Sequence, residues 1–237
     1  DRNQTATEIA KLSLWLRSAQ VGRKLTNLSN NIKTANSLLD FPFKDIKFDA
    51  VIGNPPYVRQ ERIKEQKPFL EKIYEIYNGT ADLYVYFYEL GIKNLKENGY
   101  LGFICSNKFF RAKYGENLRE FLLKNTSFKN IVDFNEIKIF EDATVDSAIT
   151  VFKKEINQNN EFKFSTNLDE KPNSILQSSL DKKTFSFLNN TEISIKSKLE
   201  KKGTPLKNWD IQIYRGILTG LNEAFIIDTK TRDELLN

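Results

Sequence analysis

Histidine and methionine are absent from these 237 residues, and there is one cysteine, Cys105. Without imidazole there is no Ser-His-Asp triad, no histidine base and no histidine metal ligand. One thiol excludes an internal disulfide framework and a cysteine zinc site within the chain. Cys105 lies in the apolar run Leu101-Gly102-Phe103-Ile104-Cys105, which reads as a buried strand. There is no signal peptide and no apolar run of about 18 residues, so no membrane partner and a cytoplasmic location are expected. None of the ten glycines forms Gly-x-Gly. The chain opens on Asp1-Arg2-Asn3 directly before a helical pattern. It is therefore read as an internal piece of a longer polypeptide, whose upstream part would be its partner.

Hydrophobic residues make up 40% of the sequence, enough for a core, and charged residues 28%, which argues against disorder. The net charge of +5 and pI near 9.0 favour an anionic partner, although basic composition alone is a weak pointer.

Residues 4–20 read as an amphipathic helix with Ile9, Leu12, Leu16 and Ala19 on one face. Asn31-Ile32-Lys33-Thr34 reads as a short strand, and 58–78 as a mobile loop with one helix. The run Phe48 to Gly53 is a strand stopped by Pro55 and Pro56, which cannot donate to a ladder. A helix over Asp82 to Lys96, closed by Asn98-Gly99, precedes a strand over Tyr100 to Cys105. Then follow a helix (Asn117 to Lys124), two strands (Lys129 to Asn135, Asp146 to Lys153), a hairpin-like strand (Glu161 to Ser165) and a helix (Glu192 to Lys202) capped by Thr191. Alternating helices and short apolar strands indicate an α/β domain with a largely parallel sheet.

Asn54-Pro55-Pro56-Tyr57, directly after the first apolar strand, suits chemistry on a planar exocyclic amine. Such a nitrogen is a poor nucleophile because its lone pair is delocalised into the ring. Acceptors on its N–H groups favour the pyramidal form that can attack a methyl sulfonium. Asn54 offers a side-chain carbonyl, and Pro55 a backbone carbonyl held by stiff neighbouring chain. Tyr57 offers a face for stacking a base. No strong base is needed, since the proton becomes acidic only after transfer, so the missing histidine is no obstacle. A strand-ending turn with an ordinary tyrosine is the competing explanation.

At these residues the sequence resembles the amino-methyltransferases that use S-adenosylmethionine (AdoMet). Phe48 to Glu61 narrows the resemblance to the DNA N6-adenine enzymes of the type IIG restriction-modification group. The resemblance implies a Rossmann-like AdoMet-dependent sheet, incomplete on its N-terminal side, followed by the start of a DNA-recognition domain. It divides the chain into the C-terminal part of a catalytic domain (1–155), a connecting region (156–210) and a target-recognition opening (211–237). The implied partner is double-stranded DNA, the implied cofactor AdoMet, and no metal is implied; the competing readings are a protein glutamine N5-methyltransferase, which shares the Asn-Pro-Pro-Tyr motif, and a non-catalytic DNA-binding fragment.

Thr7 to Leu16 is similar to the group's helix after its second motif, making Asp1 the residue that grips the AdoMet ribose; an exposed terminal Asp is the alternative. Ala35-Asn36-Ser37-Leu38 resembles the third motif, placing Asn36 near the AdoMet adenine, against a helix-leading turn. Ala81 to Phe87 resembles the fifth, setting Leu83 and Phe87 on that adenine, against core packing, with Asp82 as a helix cap. Asn98 to Ile104 resembles the sixth. Ile139 to Val145 resembles the eighth, with Phe140 stacking on the target base opposite Tyr57, against a plain core Phe. Lys108, Arg111, Lys113 and Arg119 are candidate phosphate contacts, against a solvated basic helix face. Tyr214 to Asp228 resembles the start of the recognition region. The group's first motif, Phe-x-Gly-x-Gly, which cradles the methionine part of AdoMet, is missing. The chain alone is therefore expected to be inactive or nearly so.

Overall fold

The structure is a computed structural model describing residues 2–19, 22, 27–135, 137, 139, 146–157, 159–188, 190–212, 228, 229 and 232. It divides into two compact units, Asp1–Asn190 and Thr191–Asn237. In the first lie α1 (Gln4–Ser18), β1 (Phe48–Gly53), α2 (Lys67–Ile73), α3 (Tyr84–Asn94), β2 (Leu95–Ser106), α4 (Glu116–Asn125), β3 (Ser127–Asp133), β4 (Ser147–Lys153), β5 (Glu161–Ser165) and β6 (Asn173–Leu176). The second unit contains α5 (Asn190–Lys202), which includes Thr191 as a helical residue rather than a preceding cap.

The six strands form one sheet in the order β1-β2-β4-β3-β5-β6. It is mixed, not largely parallel: β1 with β2 and β3 with β5 are parallel, whereas β4 runs against both β2 and β3, and β6 against β5. The reason is connectivity. A parallel neighbour needs a crossover, as α3 supplies between β1 and β2, whereas β5 returns to β6 through residues 166–172 alone. β4 then inserts between β2 and β3, which remain parallel to one another.

Phe103, Cys105, Phe128, Ile131, Ala148, Phe152 and Phe162 from the strands pack with Tyr84, Val85, Tyr88 and Ile92 of α3 and Leu118 and Leu122 of α4. Tyr88 is fully enclosed, its hydroxyl bonded to Cys105 Sγ (2.8 Å) and Thr150 Oγ1 (3.0 Å), so a polar tip sits in the core without an unmet bond. Burial pushes the Cys105 thiol up to about 12, as expected for a strand residue rather than a nucleophile.

Several local expectations are corrected. α1 exists, held by Asn3 accepting from Ala6 N, but its apolar stripe is solvated: Ile9, Leu12 and Leu16 are 58%, 54% and 79% exposed. Asn31–Thr34 forms turns instead of a strand. Asn98-Gly99 does not close α3, which stops at Asn94; Asn98 adopts φ 65° within the irregular start of β2. A Cβ on Gly99 would lie 3.0 Å from the Asp49 carbonyl oxygen, so the close approach of β1 requires glycine there.

Candidate active site

Parallel strands place their carboxyl ends on one side, and β1, β2 and β3 end there at Gly53, Ser106 and Asp133, beside the start of β4 at Ser147. Asn54-Pro55-Pro56-Tyr57 leaves β1 at this edge. Asn54 and Pro56 are exposed, Pro55 buried and Tyr57 half-buried. Among the described residues, neither the Asn54 side-chain amide nor the Pro55 carbonyl takes part in a hydrogen bond. The Pro56 carbonyl, by contrast, accepts from Val58 N at 3.0 Å.

Tyr57 sits edge-on to Tyr84, with ring centroids 6.5 Å apart. Its hydroxyl is buried without a hydrogen bond of full geometry. Burial raises its pKa first and the nearby Cys105 second, while Ser147 opposes the rise. Tyr84 continues the aromatic path to Phe109 (6.4 Å) and bonds Tyr114 through the two hydroxyls (3.0 Å).

The segment after the tetrapeptide is tied down rather than loose. Val58 O accepts from Leu83 N (2.9 Å), and the Asp82 carboxylate accepts from Gln60 N (3.0 Å). Asp82 therefore caps the 3-10 turn Gln60–Gln66 across 22 residues of sequence, and not its own helix. Lys67 Nζ donates to Gln60 Oε1 (2.5 Å) and Gly79 O (2.7 Å). Glu89 on α3, wholly buried, accepts from Glu75 N and Ile76 N and pairs with Lys93.

Beside Asn54 opens a cavity of about 500 Å³, lined by Phe41, Phe43, Phe48, Phe87, Leu90 and Phe103 among others. Its size and apolar walls with few polar groups suit a small planar ligand. Phe87, Leu90, Gly91 and Asn94 recur at helical spacing and give α3 one cavity-facing side. Gly91 lets α3 lie close on β2, since a Cβ there would stand 2.3 Å from Leu101 Cδ1.

The anticipated residues divide unevenly. Asn54, Pro55 and Phe87 border the cavity. Leu83 is buried with 8% exposure and does not line it. Asn36 is held in a turn, its Oδ1 accepting from Leu38 N (3.3 Å) and its Nδ2 donating to Gln66 (3.4 Å), while its neighbour Ser37 reaches the cavity. Asp1, Phe140 and nearly all of 214–228 lie outside the described residues. Phe41, Phe43, Leu90 and Asn94 went unrecognised in the sequence; the α3 spacing was visible, but the Phe41–Phe43 edge contact (5.9 Å) arises from loop folding.

Lys108, Arg111 and Lys113 are exposed on the turns after β2, at the tetrapeptide's edge of the sheet. Arg119 is not available to a phosphate, nor is it on a solvated face. It is fully buried, donating to the carbonyls of Phe109 (2.5 Å), Ala112 (2.8 Å), Lys182 (2.5 Å) and Lys183 (2.6 Å). No helical periodicity reveals such a role, because its partners are backbone atoms, two of them brought from 63 and 64 residues away.

The decisive comparison is with the Eco57I restriction-modification methylase family, whose model matches residues 1–140, more than half of the 237. The chain belongs to this family. Among curated relatives, it is 44% identical over 111 residues to the type II methyltransferase M.BstVI of Geobacillus stearothermophilus, covering 46% of this chain and 20% of that protein. It is 28% identical over 190 residues to the type II restriction enzyme and methyltransferase RM.Eco57I of Escherichia coli, covering 68% of this chain and 19% of that protein. The matched region thus spans about a fifth of these relatives. Among solved structures, the type IIL restriction-modification enzyme MmeI in complex with DNA superposes with TM-score 0.57 at 18% identity, over 74% of this chain and 27% of that one. The type I methyltransferase subunit from Streptococcus thermophilus superposes with TM-score 0.53 at 16% identity, over 85% and 41%. The expected AdoMet-dependent methyltransferase fold and the restriction-modification family are both borne out. Among the described residues there is no cluster of groups fit to hold a metal, and no helix is long and apolar enough to cross a membrane.

Proposed function

We propose that the whole protein transfers a methyl group from AdoMet to the exocyclic N6 of an adenine in double-stranded DNA, the base being swung out of the duplex to reach Asn54. The observation that carries this reading is the pair of free acceptors at the carboxyl end of β1. The Asn54 amide carbonyl and the Pro55 carbonyl bond no other described residue, and both residues line a cavity. Each would accept one N–H of the amine, drawing the lone pair out of conjugation. Pro55 and Pro56 fix the turn, so little reorganisation is needed when charge develops on the nitrogen. Tyr57 stacks on the base and Phe140 approaches its other face, offsetting the few kcal/mol of unstacking.

The cavity residues fit the adenosine end of AdoMet: flat apolar walls from Phe41, Phe43, Phe87 and Leu90, with Ser37 and Asn94 as polar edges. When bound, AdoMet supplies the electrophilic methyl. Asp1 on the ribose, with Asn36, Leu83 and Phe87 about the adenine, completes the proposed cofactor side, Phe87 alone of the last three bordering the cavity. Lys108, Arg111 and Lys113 neutralise phosphates of the bound strand. Residues 1–155 then belong to the catalytic domain, 156–210 connect it, and 211–237 begin target recognition.

The test is methylation of plasmid DNA by the full-length protein with the modified base mapped. N6-methyladenine is expected, and Asn54→Ala should lower turnover at least about a hundredfold, the scale of removing one charge-stabilising partner. Methyl found on cytosine or on protein glutamine would refute the assignment.

A further inference from the structure

We infer that the turn immediately following the tetrapeptide, bearing Arg59, Arg62 and Lys64, is a second grip on the DNA backbone, holding the phosphates next to the target nucleotide. This rests on the proposed action on DNA. All three side chains are exposed. Among the described residues none has a carboxylate within ion-pair distance or a side-chain hydrogen bond, and Arg59 acts on the neighbouring Glu61 through its charge alone. The adjacent Glu61 is occupied by Gln60 Nε2 at 2.7 Å. Connectivity does the placing. Two residues span at most about 7 Å, so a base stacked on Tyr57 leaves Arg59 within side-chain reach of that nucleotide's own phosphate. Arg59 is the extended residue just before the 3-10 turn and Arg62 lies within it, so the two guanidiniums leave neighbouring points of one short segment, with Lys64 beyond the kink at Ile63.

The platform is rigid, which distinguishes it from a run of surface cations. The Asp82 carboxylate holds Gln60 N, Leu83 N holds Val58 O, and Lys67 ties Gln60 to Gly79. Ile63 and Leu70 anchor it from beneath, at 2% and 0% exposure. A backbone held in place before binding leaves only the long cationic side chains to be ordered on meeting the phosphates. Lys113 adjoins Tyr114, and Tyr114 connects to Tyr57 through Tyr84, so a second exposed cation is linked to the base site through two aromatic residues.

The experiment measures DNA affinity against salt for the full-length protein and its Arg59→Ala/Arg62→Ala and Arg59→Lys/Arg62→Lys variants. Loss of two phosphate contacts should reduce the slope of log K against log salt by about 2, equally on target and unrelated duplexes, with lysine restoring it. An unchanged slope in the alanine variant of a protein that still methylates DNA overturns the grip alone. A reduced slope that lysine does not restore also overturns it, since the cause is then distortion of the turn. If the wild-type protein neither binds nor methylates DNA, the grip and the proposed function fall together.

Discussion

Arg119 illustrates how far a single side chain can depart from its apparent chemistry. In the sequence it is one of four cations after β2, yet its guanidinium satisfies four carbonyls, two from the turn just before its helix and two from a segment more than 60 residues on. Arg119→Met should cost about 3 kcal/mol or more, because each abandoned buried acceptor costs roughly 1–3 kcal/mol. Urea denaturation would measure it, and a midpoint unchanged from wild type would contradict the bonding. Cys105 makes the opposite point. Its burial and raised pKa predict no reaction with thiol reagents at pH 8 until the protein is unfolded, which is read by mass spectrometry with and without denaturant.

At the scale of elements, the turn after Tyr57 is held chiefly from the start of α3. Asp82→Ala removes the bond to Gln60 N and should cost about 1 kcal/mol, in the range of other lost caps. Hydrogen exchange should quicken over residues 58–66 and leave β2 unaffected; uniform quickening would indicate global destabilisation. Gly115→Ala meets a harder obstacle, because the new Cβ would lie 2.4 Å from the Phe109 carbonyl oxygen, a backbone atom. Overpacking of this kind costs about 1–3 kcal/mol. The Asp82 role was illegible beforehand, since a cap in sequence is sought next to its own helix.

For the whole molecule, the buried acids give a pH dependence with a definite sign. Folding keeps the proton on Cys105, Tyr84 and Tyr88, all raised chiefly by burial, whereas the unfolded chain releases it. The Cys105 contribution is therefore complete below pH 9.0 and lost as pH climbs towards about 12. Thermal melts should fall across that window, and Cys105→Ala should flatten part of the decline; a parallel decline would exclude the thiol as a source. The chain has no Gly-x-Gly, so the isolated 237 residues should show no measurable methyl transfer; wild-type turnover from them would overturn that expectation.

The sequence by itself determined the α/β class, nearly every element of the first unit, and the tetrapeptide, because alternation of apolar residues and proline punctuation are local properties of the chain. Even β5 matched residue for residue, while β6, with only one buried residue in four positions, carried too little pattern to be seen. Tertiary structure decided the strand directions, the walls of the cavity and the fate of each charge. Those depend on which backbone carbonyl or carboxylate arrives from far along the chain. Arg119 and Arg59 are the same residue type, and only packing makes one a buried tie and leaves the other facing solvent.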